Sequence, residues 1–306
     1  MRVPTRVIAV ANQKGGVGKT TSTLNLGAAL REMGKRVLLV DLDPQGSLTV
    51  AAGVIDVDAI HLSIGDLLMA RAQGAPQDVA RAIIKTPTGL DLVPGNGMLS
   101  AAELTLATAM ARESALLNTL KPALQRYDYI LIDCLPSLGL IAINALRASD
   151  GVVIPVQADF LAVQGLAQIL ETIGAVREQL NPALAVYGVL LTMVEPHKSH
   201  SQRVVATVRH SLQGQVNVFE TEIVQHVAYK EAAEAGRSII EHQTRGAAAD
   251  TYRCLAREVA CAAGDQTVVA NEPKRGGLFA GAGRFWRSLT RGRDASPAGR
   301  TLAGAA

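Results

Sequence analysis

Ten consecutive residues, Asn12-Gln13-Lys14-Gly15-Gly16-Val17-Gly18-Lys19-Thr20-Thr21, bring glycine, lysine and hydroxyl groups together in a pattern suited to gripping phosphate. Gly15, Gly16 and Gly18 permit a tight turn whose backbone N–H groups face inward. A helix starting just after them turns its positive end toward the same anion. Lys19 can reach the β and γ phosphates of a nucleotide, the Thr20 hydroxyl can coordinate Mg²⁺, and Val17 and Thr21 complete the stretch expected to surround the phosphates. The strict pattern has glycine where this chain has Gln13, so the match is imperfect there. A glycine-rich turn without a ligand is the competing reading. The order strand, loop, Gly-Lys-Thr, helix argues against it.

Lys14 is a second signal. Its own loop does not need it for backbone cradling, but a lysine reaching across a dimer would stabilise charge developing during phosphoryl transfer. The residues alone leave that role and a solvated loop lysine equally open. Three carboxylates follow apolar runs: Asp41 and Asp43 after Arg36–Val40, and Asp133 after Tyr129–Ile132. An acid at the carboxyl end of a parallel strand sits at the rim where ligands bind. Asp133 suits a Mg²⁺-holding role, Asp43 could orient an attacking water, and Asp41 reads as structural. Turn or helix capping is the common alternative for any one of them.

The elements that must position these groups are legible as alternation. Short apolar runs at Arg6–Ala11, Arg36–Asp41, Leu90–Val93, Tyr129–Asp133, Gly151–Val156 and Val186–Met193 read as buried strands. Helical patterns lie between them: one from the loop to about Met33, then Ala115–Leu124, Leu138–Ala148, Val163–Gln179, Gln202–Leu212 and a closing Gly246–Ala263. The expectation is an α/β chain: one doubly wound, mostly parallel sheet with helices on both faces. Hydrophobic residues make up 48% and aromatics 3%, so Ala, Val, Leu and Ile must fill the core. The domain is expected over residues 1–264, with a flexible basic Gly/Ala/Arg-rich tail over 265–306. Residues 271–306 hold seven basic and two acidic residues, so the basic character of the whole chain, formally +3, is local to that end.

The segment Lys14-Gly-Gly-Val-Gly-Lys-Thr-Thr21 resembles the deviant Walker A motif of the ParA/MinD ATPases, with Lys14 as the signature lysine. Asp41-Leu-Asp-Pro-Gln-Gly46 and Asp133-Cys-Leu-Pro-Ser-Leu-Gly139 are similar to the family's switch segments, the first in its ParA/Soj form. The likeness runs from about Arg6 to Val259 and takes in Pro155-Val-Gln157 and Gly236-Arg-Ser-Ile-Ile240. Leu135 departs from it, standing where the family usually has proline. The resemblance implies a P-loop fold, ATP and Mg²⁺ as ligands, and an ATP-sandwich homodimer. It gives Lys14, Lys19 and Asp43 to catalysis, residues 14–21 to the nucleotide, and Thr20 and Asp133 to the metal. It also implies slow hydrolysis without a ParB-like stimulating partner, non-specific DNA binding, and a chromosome, plasmid or protein cluster as cargo.

DNA binding of that kind needs only clustered Lys and Arg. Lys198, Arg203, Arg209, Lys230 and Arg237 are the candidates, with Arg245 beyond them. The family's arginine positions are not matched: the loop after Met193 reads Val-Glu-Pro-His-Lys-Ser199, and Ala228 stands where a second arginine is usual. The first strand begins within a few residues of Met1, so an operator-reading N-terminal domain is not expected. No run reaches the ~20 apolar residues of a membrane span, and three cysteines without ligand spacing suit reduced thiols. The protein is expected to be cytoplasmic and nucleoid-associated. Residues 278–291 carry a rival reading. Leu278, Phe279, Phe285, Trp286 and Leu289 on one side, with Arg284, Arg287 and Arg291 opposite, would form an amphipathic helix for an anionic membrane or a partner, as in a MinD-like spatial regulator. Gly281 and Gly283 weaken it, by about 1 kcal/mol for an interior glycine.

Overall fold

The computed structural model describes residues 4–56, 59–159 and 162–269, so the expected helix over 278–291 lies outside the described residues. Eight strands form one sheet in the order β3-β4-β2-β5-β1-β6-β7-β8. They are β1 (Arg6–Val10), β2 (Val37–Leu42), β3 (Ile84–Lys85), β4 (Asp91–Val93), β5 (Tyr129–Cys134), β6 (Gly151–Gln157), β7 (Ala185–Val194) and β8 (Ile223–Val224). Every pairing is parallel except β3 with β4. The central strands are buried on both faces, which explains their unbroken apolar runs.

Alternate residues feed two cores. Ile8, Val10, Leu39, Leu131 and Val153 pack beneath α1 (Lys19–Glu32), α2 (Ser47–Ala51), α9 (Ala228–Glu234), α10 (Ile239–His242) and α11 (Ala247–Ala262). Val7, Ala9, Leu38, Val40, Ile130 and Ile132 face α3 (Ile64–Ala72), α4 (Met98–Ala107), α5 (Ala115–Leu120), α6 (Leu140–Ala148), α7 (Ala162–Gln179) and α8 (Ser199–Leu212). Each fully buried Leu or Ile contributes roughly 1.5–3 kcal/mol relative to exposure.

The expected strands and helices are present, with shifted ends. Pro122 turns the end of the Ala115–Leu124 segment into a 3₁₀ turn over Lys121–Ala123. Gly139 is extended, so α6 begins at Leu140 rather than Leu138. The elements β3, β8, α2, α3, α4, α9 and α10 are additions that the sequence pattern did not separate. The compact unit runs to Val268, slightly past the expected boundary at 264. Asp265 there is 2% exposed and accepts hydrogen bonds from Lys35 and Tyr129, both at 2.7 Å. The short helix α12 (Gln266–Val269) follows it.

Candidate active site

The glycine-rich loop joins the end of β1 to α1 at the carboxyl edge of the sheet, between β5 and β6. Gly16 and Gly18 take φ of +72° and +85°, a left-handed conformation that side chains rarely adopt. Nothing lies within 4 Å of where a Gly16 β-carbon would be, so the loop is open on that side. Val17 is 1% exposed and anchors the loop, while its carbonyl accepts from the Thr192 hydroxyl of β7 at 2.9 Å. Asn12 is 4% exposed and fixes the entrance. Its Nδ2 donates to Pro155 O at 2.7 Å, and its Oδ1 accepts from Lys14 N at 3.0 Å.

Lys19 heads α1 and is largely buried, its Nζ donating to Lys14 O at 2.9 Å. Burial lowers the Lys19 pKa, against the opposing pull of Asp133. The Thr20 hydroxyl donates to Asp133 Oδ2 at 2.7 Å, and the Thr23 hydroxyl reaches Oδ1 at 3.3 Å. Thr21 sits half-buried on the same first turn, its carbonyl accepting from Asn25 Nδ2 at 2.7 Å. Burial raises the pKa of Asp133, and the neighbouring Asp41 carboxylate adds to the rise. Two oxygen donors of hard character therefore sit side by side, in a spot where a cation would relieve carboxylate crowding. That donor set fits Mg²⁺.

Lys14 pairs with Asp159 of its own chain through an ion pair between Nζ and Oδ2. Asp43 follows β2, and its Oδ1 accepts from Gln45 N at 2.9 Å. Asp41 has no exposure and accepts from Asp43 N and from Thr49 N and Oγ1. Burial raises its pKa too. Lys14, Lys19, Thr20, Asp43 and Asp133 thus meet at one edge. Gly15 abuts Pro136 of the second switch, with 4.0 Å from its virtual β-carbon to Pro136 Cβ. Asn12, Thr23, Thr192 and Asp159 belong to the site but were not singled out from the sequence. Asn12 opens the glycine-rich stretch, Thr192 lies within the Val186–Met193 run and Asp159 follows the Pro155-Val-Gln157 segment, but none was given a role there.

The candidate DNA contacts fall on both layers of the domain. Lys198, Arg203 and Arg209 lie on or beside α8, on one layer, whereas Lys230 and Arg237 lie on and after α9, on the other. Arg203, Lys230, Arg237 and Arg245 are exposed. Lys198 pairs with Glu195 at 2.6 Å. Arg209 is drawn inward: its Nη2 donates to Phe219 O at 3.0 Å and to Glu222 Oε1 at 2.9 Å.

A parallel sheet with a glycine-rich loop at the foot of its first helix, flanked by strand-end acids, defines a P-loop nucleotide-binding protein. A family model describing an AAA domain matches residues 5–186. The chain is 43% identical over 255 residues to the sporulation initiation inhibitor protein Soj of Bacillus subtilis, covering 83% of this chain and 98% of that one. It is 40% identical over 259 residues to the chromosome partitioning protein ParA of Caulobacter vibrioides, covering 84% and 94%. Among solved structures, cobyrinic acid a,c-diamide synthase from Mycobacterium smegmatis with bound ATP analog and magnesium matches with a TM-score of 0.70 at 37% identity, covering 82% and 93%. The chain belongs to the ParA/MinD family of P-loop ATPases. Among the described residues no helix is long and apolar enough to cross a membrane.

Proposed function

We propose that this chain is a partitioning or positioning ATPase of the ParA/Soj type, working as an ATP-sandwich homodimer that binds DNA without sequence preference. The observation that carries the reading is the Thr20–Asp133 pair beside Lys19, which joins a phosphate grip to a metal-ready carboxylate. ATP is the nucleotide and Mg²⁺ its counterion. The backbone of residues 15–19 and the Lys19 ammonium would hold the phosphates, while Thr20 and Asp133 would hold the metal, which neutralises charge on the transferring phosphoryl group. Asp43, at the mouth of the site, orients the attacking water.

Lys14 supports the dimer. Its ammonium is held by Asp159 in the single chain, a parked state from which it can be released toward a phosphate on a second subunit. With that lysine parked and a single acid orienting water, turnover is slow, and a ParB-like partner accelerates it by favouring the assembled site. DNA contact would come from exposed cations of both subunits together, since those of one chain are split between two layers. The cargo is a chromosome, plasmid or protein cluster on the nucleoid.

The test is retention of full-length protein on DNA fragments of unrelated sequence and on anionic vesicles, each with ADP and with ATP, repeated after removal of residues 271–306. ATP-dependent DNA retention that survives truncation is the expected result. Binding to vesicles alone, and only with the tail, would replace the DNA reading with the membrane-surface reading.

A further inference from the structure

Asp43 is held by a buried network that joins three segments of the chain. Asp41 Oδ1 accepts from Asp43 N at 3.1 Å, and Oδ2 accepts from Thr49 N at 2.8 Å and from the Thr49 hydroxyl at 2.6 Å. The Thr49 hydroxyl in turn accepts from Gly95 N at 3.1 Å. Thr49 lies in α2, and Gly95 lies in the loop leading to α4. Thr49 and Asp41 are both fully buried.

Gly95 is pressed onto the same point. A β-carbon there would fall 2.6 Å from Asp41 O, 2.9 Å from Asp41 Cγ and 3.0 Å from Asp43 O. Backbone and carboxylate leave no slack, so only glycine fits without displacing the switch. Packing alone does not ask for a carboxylate at a site without solvent, where burying one is costly. Three donors aimed at Asp41 from two segments give it a task, which is to fix where the chain goes next. The next side chain that faces the nucleotide edge is Asp43.

We infer that Thr49 and Gly95, acting through Asp41, set the pose of Asp43 and are positioning residues for hydrolysis; this rests on Asp43 being the acid that orients water. Thr49 supplies the hydroxyl that locks the Asp41 carboxylate rotamer. Gly95 supplies the close backbone contact that keeps Asp43 from swinging away. A displacement of the order of 1 Å at such a group is enough to slow a reaction by up to about 100-fold. Neither residue touches the phosphate loop in the contacts seen, so nucleotide affinity is insulated from the effect.

The experiment uses full-length protein with Mg²⁺ and ATP, comparing steady-state kcat and KM with the affinity for a fluorescent ATP analogue. Thr49→Val keeps the side-chain shape and removes the hydroxyl. It should lower kcat about 10-fold while KM and affinity stay within about 2-fold. Thr49→Ser should recover most of the loss, and Gly95→Ala should reproduce it by crowding. Adding Thr49→Val to Asp43→Ala should cause no further loss, since both act at one step. If Thr49→Val does not fold, Gly95→Ala decides: lowered kcat with intact affinity supports the inference, and normal kcat overturns it. Wild-type turnover in Thr49→Val alongside an inactive Asp43→Ala overturns the positioning role and leaves the Asp43 reading standing. Normal turnover in Asp43→Ala removes that reading, and the inference with it. Equal losses in kcat and nucleotide affinity would show mere structural damage and also overturn it.

Discussion

The two edges of the sheet treat their carboxylates in opposite ways. At the amino edge Asp128 and Asp265 each meet a cation, while Asp150 accepts from Val7 N at 2.8 Å. Arg36 grips Asp128 through Nη2 at 2.6 Å and Nε at 3.1 Å, and Arg36 holds that carboxyl below the usual range. Burial would raise Asp265, but hydrogen bonds from Lys35, Thr267 and Tyr129 outweigh it and hold the carboxyl well below its ordinary value. Arg6 closes the same edge by donating to Ala263 O at 2.6 Å and Gly264 O at 2.9 Å. At the carboxyl edge, Asp41 and Asp133 stand side by side in register on β2 and β5. Their partners are hydroxyls and N–H groups, with Lys19 the nearby cation, and burial pushes both acids up. Asp128 and Asp265 are neutralised within the fold; Asp41 and Asp133 are left crowded where a bound cation would relieve them.

The largest test of that contrast is Lys19→Ala. It removes the buried cation of the open edge and should abolish measurable nucleotide binding in calorimetry, a loss of at least about 100-fold. Retained tight ATP binding would remove the phosphate-loop assignment. Next is Asp43→Ala, expected to bind ATP and dimerise normally by sedimentation while turnover falls at least about 100-fold.

A smaller effect separates the edges by stability. Asp265→Asn should cost about 2 kcal/mol in chemical denaturation, because it leaves Lys35 without its buried partner. Asp133→Asn should leave the nucleotide-free protein as stable or slightly more so, since it removes a crowded buried charge, yet abolish the Mg²⁺ dependence of binding. Equal destabilisation by both would erase the distinction between the edges. The pH dependence follows with a definite sign. Asp265 is depressed in the folded state, so its contribution is present above the unfolded carboxylate range and is lost as pH falls below about 4. The gap in melting temperature between wild type and Asp265→Asn should therefore be full at pH 6 and narrow, without closing, as pH falls to 3. The smallest effect concerns the parked lysine. The Lys14–Asp159 pair is partly exposed and worth at most about 1 kcal/mol, so Asp159→Ala should favour ATP-dependent dimerisation by only about 2- to 5-fold.

Much of this was readable in advance. The unbroken apolar runs fixed the central strands because strands covered on both faces need no polar alternation. The glycine spacing and Gly-Lys-Thr located the loop because its chemistry depends on neighbours in sequence. What escaped was whatever depends on distant partners. Nothing in the sequence pairs Thr49 with Asp41, Thr192 with Val17, or Asp159 with Lys14. The two-residue strands β3 and β8 are too short to show a period. Alanine blurs the apolar face of α4 and α9, and α10, with four residues, is too short to show a helical period. Arg209 looked like a surface cation, yet its side chain turns to Glu222 and the Phe219 carbonyl.

Those very short outer strands have a consequence for assembly. Each margin of the sheet offers only a two-residue ladder, Ile84–Lys85 on one side and Ile223–Val224 on the other, and Lys85 places an ammonium beside the first, paired with Asp91 at 2.6 Å. Margins so abbreviated, one of them also charged, discourage sideways β-augmentation, the route by which open sheets polymerise. Copies of this chain are thereby steered away from growing into a continuous ribbon, which leaves the loop-bearing rim as the place for the pairing proposed above.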